Sequence, residues 1–233
     1  MQFVAYTNPG SKPTNKDFHF EGENLFIVCD GVDSSPYGDI ASKLACSSFS
    51  DYFKQNPATV YDCEYLNKAL QYTIQQFQET ENKYPEMKGM ATTVALTAFD
   101  KTGAIIAWLG DSRLYQIRNG QILFVTDDHS LVNELRKQGN TDEEKLKNIR
   151  NYITKSLSTK TEIEFSFQGI QSTQIQKGDF FFLCSDGVLE NITNEILCAE
   201  LTTENTLEEK AQNIFSHCEG KTRDNFTFQI IQA

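Results

Sequence analysis

The stretch LFIVCDGVDSSPYGDIAS, residues 25–42, decides how this chain is understood, because an apolar run meets Asp-Gly within it. Residues 25–29 are typical of a β-strand, and Asp30-Gly31 follows at once. Asp-Gly is a common turn dipeptide, so alone it favours an ordinary turn over a functional site. The chain after it does not return as an alternating strand, however, but loops and enters a helical pattern near residue 38.

Three further aspartates stand where an apolar strand meets a loop. FFFLCSDGV (180–188) repeats the pattern with Asp186. AIIAWLGDSR (104–113) runs a third strand into a loop that carries Asp111, and TRDNFTFQII (222–231) begins a strand directly after Asp224. Crowded carboxylates are costly to bury unless a cation balances them, and oxygen ligands without His or Cys favour Mg²⁺ or Mn²⁺. Two such ions can activate a shared water for attack on a phosphoester. From the spacing alone, ordinary turns remain the favoured interpretation.

Composition is typical of a soluble, cytoplasmic globular protein. The chain has 233 residues, 39% of them hydrophobic, and neither a membrane-spanning apolar stretch nor a signal peptide is expected. The formal charge of −11 argues against a nucleic-acid surface. No Pro- or Ser-rich linker divides the chain, so we expect residues 1–233 to form one domain. The six cysteines include no CxxC pair and are expected to be buried, reduced thiols.

Hydrophobic periodicity predicts ten strands and three well-marked helices. The strands are 2–6, 17–20, 24–29, 91–99, 103–109, 113–118, 121–125, 163–170, 179–184 and 225–231. The helices are 38–53, 62–82 and 206–218, another is expected after Asp186, and residues 136–151 are expected to be an exposed loop or short helix. Asn-Gly predicts one hairpin turn, and Thr206 with Glu209 predicts a capping box. Strands joined by hairpins, with helices grouped between them, favour α+β architecture over βαβ alternation.

Seven motifs in order resemble those of the metal-dependent protein phosphatases, the PPM or type 2C family. They are TNKD (14–17), DGV…GDIAS (30–42), GMATTV (89–94), WLGDSRLYQIRNGQILFVTDDHS (108–130), RNYITKSLS (150–158), FFFLCSDGVLENITNEI (180–196) and RDNFTF (223–228). The resemblance spans nearly the whole chain. It implies two packed, mainly antiparallel β-sheets flanked by pairs of α-helices, with a centre of two Mg²⁺ or Mn²⁺ ions between the sheets at one edge.

The resemblance also implies a set of metal ligands: Asp17, Asp30, the Gly31 carbonyl, Asp111, Asp186 and Asp224. In this set Asp30 bridges two ions, and Asp30, Asp186 and Asp224 form the catalytic core. Asp17 would hold water ligands, and Asp111 would form, with Asp186, the weaker third metal site of bacterial-type members. The implied reaction is direct attack of a water, activated between the two ions, on phosphoserine or phosphothreonine.

Two positions depart from the family pattern. Lys12 stands where the family has an arginine that binds phosphate. Lysine keeps the positive charge but does not donate the two parallel hydrogen bonds of a guanidinium group. Ser35 stands where the family has a histidine thought to act as general acid. A serine hydroxyl does not titrate near neutrality, so we expect alkyl phosphoesters to suffer most from this change.

Other polar residues near these motifs have simpler interpretations. Asp33 could hold a metal-bound water, but starting a turn is the favoured interpretation. His19 shares a strand face with Asp17 and could donate a proton, although a surface or core histidine is favoured. His129 is expected to cap a turn, and His217 to lie unremarkably in the last helix.

The sequence leaves three functions open. The first is an active serine/threonine phosphatase that acts on a phosphoprotein, with a cognate kinase and with no membrane or nucleic-acid partner. The second is a pseudophosphatase that binds a phosphoprotein with weak turnover, which Lys12 and Ser35 favour. The third, less favoured, is a hydrolase of small phosphomonoesters. The retained strand-end aspartates favour the first.

Overall fold

A computed structural model describes residues 1–140, 142, 144, 146, 149, 152–160 and 164–233. Its ten strands are β1 (Gln2–Asn8), β2 (Asp17–Glu21), β3 (Leu25–Asp30), β4 (Val94–Asp100), β5 (Gly103–Leu109), β6 (Arg113–Arg118), β7 (Gln121–Val125), β8 (Ser166–Gln171), β9 (Phe180–Cys184) and β10 (Phe226–Gln232). The ten strands predicted from the sequence are all present, with bounds that differ by at most three residues. Residue 163, the predicted start of β8, lies outside the described residues.

The strands form two antiparallel sheets of five strands each. The first sheet has the order β1-β10-β9-β6-β7 and the second the order β2-β3-β4-β5-β8. Between β6 and β7 the predicted Asn-Gly turn is present, with Asn119 at φ 50° and Gly120 at φ 71°. Positive φ at both central residues is the requirement of a tight hairpin whose twist matches its strands.

Five described helices cover the two sheets: α1 (Gly38–Gln55), α2 (Cys63–Lys83), α3 (Leu131–Lys137), α4 (Asn194–Leu201) and α5 (Leu207–Cys218). The three well-marked helices and the helix after Asp186 are confirmed, as is the capping box of Thr206 and Glu209. Helix α3 was not predicted. In the polar segment 136–151, residues 141, 143, 145, 147, 148, 150 and 151 lie outside the described residues. Among the described helices, none is long and apolar enough to cross a membrane.

Three apolar layers explain the sandwich and confirm the predicted α+β class. Leu25, Ile27 and Cys29 of β3 face α1 and α2, whereas Phe26 and Val28 face the other sheet. Strand β9 does the same, with its alternate residues divided between the intersheet core and the core under α4 and α5. Successive side chains of a strand point to opposite faces, so a strand covered on both sides has a continuous apolar sequence.

The cysteine prediction holds for four of the six residues. Cys29, Cys46, Cys184 and Cys218 are buried, and all six thiols are free. Cys63 is exposed, and Cys198 is half-buried. The prediction is wrong for Cys63 because this residue begins α2 on its solvent side, where no apolar layer covers it.

Candidate active site

The predicted strand-end aspartates meet at one pocket. Asp30, Asp111, Asp186 and Asp224 line the same pocket of about 390 Å³. Asp17 lies beside Asp30, because these two residues are directly opposite each other in the antiparallel pair of β2 and β3. The antiparallel topology therefore brings together carboxylates from both sheets, as a site between the sheets requires.

The remaining predicted site residues lie around this pocket. Lys12 lines a neighbouring pocket of about 510 Å³ that shares Asp111, Asp186 and Asp224. The amide of Gly31, next to Asp30, donates to the carbonyl of Lys16 over 3.1 Å. The hydroxyl of Ser35 donates to the carbonyl of Gly89 over 2.8 Å, which directs its proton to the backbone.

Asp17 is a buried carboxylate with one unused oxygen. Its Oδ2 accepts a hydrogen bond of 2.6 Å from the hydroxyl of Ser185, the residue before Asp186. Among the described residues, no group donates to its Oδ1, which is fully buried. Burial raises the pKa of Asp17 to about 7. A buried carboxylate oxygen without a donor is the acceptor that a cation or an ordered water would satisfy.

Burial and mutual repulsion act on the other carboxylates as well. Burial first, and then the charge of Asp17, raise the pKa of Asp30 well above its ordinary value. Burial followed by the charge of Asp186 raises the pKa of Asp111 to about 7. Burial followed by the charge of Asp224 raises the pKa of Asp186 to about 6. A hard cation that binds such a cluster would offset the repulsion among the carboxylates and stabilise their ionised form.

These donors fit Mg²⁺ or Mn²⁺ by their chemistry and burial. The aspartates of the pocket supply only oxygen, which both ions prefer. Among the described residues, however, no three Asp, Glu, His or Cys side chains already form a group that could hold an ion. The pocket therefore presents suitable ligands on several elements without a preformed coordination shell.

Two threonines that the sequence left without a role hold Asp30 in place. The hydroxyl of Thr92 donates to the carbonyl of Asp30 over 2.8 Å, and the amide of Asp30 donates to the hydroxyl of Thr93 over 3.0 Å. The Thr93 hydroxyl also lies 2.6 Å from that of Ser112, which follows Asp111. The hydroxyls thus join two strand ends. The only signal for them was their place in GMATTV and GDSR.

The glycines after Asp30 and Asp186 are required by close backbone packing. A Cβ on Gly31 would overlap the backbone carbonyl of Gly38, at the start of α1. A Cβ on Gly187 would overlap the backbone carbonyl of Asn225, the residue before β10. In each Asp-Gly pair the glycine therefore lets a second backbone segment pack directly against the residue that follows the aspartate, which fixes the position of the aspartate.

Asn225 organises the loop that carries Lys12. Its side-chain amide donates to the carbonyls of Pro9 and Thr14 at 2.9 and 3.0 Å, and its Oδ1 accepts from the amide of Lys16 at 2.7 Å. Its own amide donates to Asp224 Oδ1 over 2.8 Å, so it also orients that carboxylate.

Asp33 starts the predicted turn and is also paired with two lysines. The amide of Ser35 donates to the carbonyl of Val32 over 3.0 Å, which closes the turn. The Asp33 carboxylate accepts from Lys12 over 2.6 Å and from Lys16 over 2.9 Å. The ion pairs were not predicted, because the partners lie in a different loop.

The three histidines have partners outside the pocket. His19 lies 3.2 Å from the carboxylate of Glu21, and His217 lies 3.2 Å from that of Glu200. His129 Nδ1 accepts from the amide of Gly110, next to Asp111, over 3.1 Å. The turn-cap prediction for His129 thus understates its role, since the ring supports the Asp111 loop from a distant segment.

Comparison with known proteins gives consistent matches over almost the full chain. A family model described as protein phosphatase 2C matches residues 13–225. The serine/threonine phosphatase stp of Listeria monocytogenes is 29% identical over 94% of this chain and 86% of its own length. The structure of the S. agalactiae serine/threonine phosphatase is 27% identical, covers 98% of both chains and superposes with a TM-score of 0.86. The catalytic domain of PstP, in complex with two manganese ions, shares the fold at 24% identity, with a TM-score of 0.83 over 98% of this chain and 96% of its own.

Proposed function

The chain belongs to the protein phosphatase 2C family, and we propose that it hydrolyses phosphoserine and phosphothreonine in proteins with bound Mg²⁺ or Mn²⁺. The observation that carries this proposal is the pocket lined by Asp30, Asp111, Asp186 and Asp224, four carboxylates that converge from both sheets. The relatives named as serine/threonine phosphatase and as protein phosphatase support the same activity. Its substrates would be made by a serine/threonine kinase, since that reaction forms the ester that this one breaks.

We assign the metal ligands to the residues that the family motifs mark: Asp17, Asp30, the Gly31 carbonyl, Asp111, Asp186 and Asp224. Asp30, with Asp186 and Asp224, would form the two-ion core, and Asp111 a third, weaker site. Asp17, with its unused buried oxygen, would hold water ligands. When bound, the ions would supply a water of lowered pKa and positive charge opposite the phosphate.

The chain's own groups would position the phosphate and limit protonation of the leaving group. Lys12, which lies 3.3 Å from Asp224, would contact the phosphate as a point charge. The described residues that line the pocket include no histidine, and Ser35 directs its hydroxyl to Gly89. We therefore expect aryl phosphates to turn over faster than alkyl phosphoesters, whose leaving alkoxide needs a proton.

The deciding experiment measures hydrolysis of p-nitrophenyl phosphate and of a phosphothreonine peptide with Mn²⁺. Asp186→Asn should lower turnover of both about 10³-fold, because it removes one buried charge of the cluster. Asp39→Asn, an exposed change at the start of α1, is the matched control and should retain activity. Wild-type protein without Mn²⁺-dependent turnover above the Asp186→Asn variant on both substrates would contradict the proposal and indicate a binding protein.

Thermal unfolding of the same proteins gives a second readout that does not depend on turnover. At pH 7.5 Asp186 is above its raised pKa of about 6 and ionised in a buried position, which costs folding free energy. Asp186→Asn should therefore raise the Tm of the metal-free protein, by about 3 °C. Mn²⁺ should raise the Tm of wild type and have a smaller effect on the variant.

A further inference from the structure

We propose that Asp33 sets the affinity of this active site for phosphate, by holding Lys12 and Lys16 in ion pairs that an incoming phosphate must displace. The inference rests on the proposed function, because it concerns the same pocket. It assigns to Asp33 a specificity-determining role: its carboxylate takes the place near Lys12 that the substrate's phosphoryl group would otherwise occupy.

The two ion pairs use both oxygens of one carboxylate. Lys12 Nζ lies 2.6 Å from Asp33 Oδ2, and Lys16 Nζ lies 2.9 Å from Asp33 Oδ1. Lys12 Nζ also lies 3.3 Å from Asp224 Oδ1. A bidentate anion bridging two ammonium groups is the arrangement that a phosphate would make with the same lysines.

Both partners are carried by anchored backbone, so the pairing is a property of the fold. The carbonyl of Lys16 accepts the amide of Gly31, and the amide of Lys16 donates to Asn225. On the other side, the amide of Val32 donates to the carbonyl of Ala91. These hydrogen bonds hold the lysine loop and the Asp33 turn against each other at the pocket mouth.

The ion pairs are nevertheless open to exchange with a ligand. The side chain of Asp33 is 57% exposed, and those of Lys12 and Lys16 are 35% and 29% exposed. Exposed pairs of this kind are worth at most about 1 kcal/mol, which a dianionic ligand near bound metal can exceed. Asp33 therefore competes with phosphate rather than excluding it.

Charge balance makes this competition matter. Lys12 and Lys16 bring two positive charges, and Asp33 is paired with both lysines before any phosphate arrives. Asp33 pairs with both lysines as a carboxylate, the form that an ordinary aspartate has at neutral pH. Asp33 also lines the pocket beside the other aspartates, where a further negative charge repels an anionic ligand.

Titration of inorganic phosphate into Mg²⁺-loaded protein, followed by calorimetry, tests the proposal. Asp33→Asn keeps the size of the side chain and removes the competing charge, and should lower the phosphate Kd about five-fold. Asp39→Asn, which removes an equal charge from an exposed site at the start of α1, should change the Kd by less than about two-fold. In a Lys12→Met background the gain from Asp33→Asn should shrink to about two-fold or less, because only Lys16 of the two contested lysines remains.

Two results would overturn the proposal. One is a phosphate Kd that is unchanged or higher in Asp33→Asn than in wild type, which would make Asp33 a support for Lys12. The other is a gain that persists in full without Lys12, which would reduce the effect to general repulsion. Because the titration requires no turnover, it decides the role of Asp33 even if wild-type protein fails the phosphatase assay.

Discussion

The chain contains two Asp-Gly-Val segments, residues 30–32 and 186–188, and they diverge directly after the valine. Each follows a strand buried on both faces, and each glycine packs against the backbone of another segment. In the second segment Val188 is fully buried, and the chain beyond it returns to the core at Ile192. After the first it stays at the pocket mouth, where Asp33 and Ser34 are exposed.

The comparison distinguishes the features that both segments share from the residues after the valine, which differ between them. The carboxylate and the close backbone approach occur in both segments, so both belong to the construction of the pocket. Asp33 and Ser34 are exposed and make no comparable packing contacts, so a charge such as Asp33 can alter ligand affinity there without disturbing the core. The predictions below test the shared part first and the divergent part afterwards.

The largest effect on folding is expected where the two segments agree. Gly31→Ala and Gly187→Ala should each destabilise the protein by about 3 kcal/mol or more, because the added Cβ overlaps a backbone carbonyl that cannot rotate away. Gly169→Ala in β8 is the control, since a Cβ there meets no atom within 4 Å. Urea unfolding of the metal-free proteins measures all three.

An alanine at residue 31 that leaves stability unchanged would break the comparison. It would mean that the first Asp-Gly pair is an ordinary turn, as its sequence alone favoured, and that only the second is held by close packing. A destabilised Gly169→Ala variant would instead show that replacing a glycine in any strand lowers stability. The effect at residues 31 and 187 would then not report close packing.

Much of this architecture could be predicted because local patterns encode it. The continuous apolar runs of β3 and β9 indicate burial on two faces, and Asn119-Gly120 specifies a tight hairpin. The strand-end aspartates were found as a repeated pattern of short motifs. Helix α3 was missed because it is only seven residues long, with a single buried residue, Val132, and so has little amphipathic signal.

The contacts that hold the site together could not be predicted in the same way. Ser185 and Asp17 are separated by 168 positions, and Lys12 and Asp33 lie in different loops. Single hydrogen bonds between such residues leave no periodicity in the sequence. They follow from the sheet topology and become visible only once the two sheets are packed.

An intermediate effect is expected for the serines near the two segments. Ser185→Ala should cost about 2 kcal/mol, because the hydroxyl donates to Asp17 and accepts the amide of Thr227 at 3.0 Å, and both partners are buried. Ser35→Ala should cost less than about 0.5 kcal/mol, since its bond to Gly89 is partly exposed to water. If the two variants lost equal stability in urea unfolding, the turn that follows Val32 would contribute as much packing to the fold as the segment around Ser185, contrary to this comparison.

A smaller effect than that of Ser185→Ala is expected near Asp111, the strand end that a titratable side chain supports. Burial, followed by the charge of Lys155, lowers the pKa of His129 to about 4, and its Nδ1 accepts the amide of Gly110 only in the neutral form. The folded protein therefore binds fewer protons than the unfolded chain between pH 6.5 and 4, and stability should fall as the pH falls through that window.

Because the His129 ring is only partly buried, we discount this contribution to about 1 kcal/mol. His129→Gln can still accept from Gly110 and does not titrate, so the stability difference between wild type and variant should shrink as the pH is lowered from 7 to 4.5. Urea unfolding with EDTA at several pH values measures that difference, in which the aspartates common to both proteins cancel. A difference that stays constant with pH would mean that the Asp111 loop, like the two Asp-Gly-Val segments, is held by packing that no proton controls.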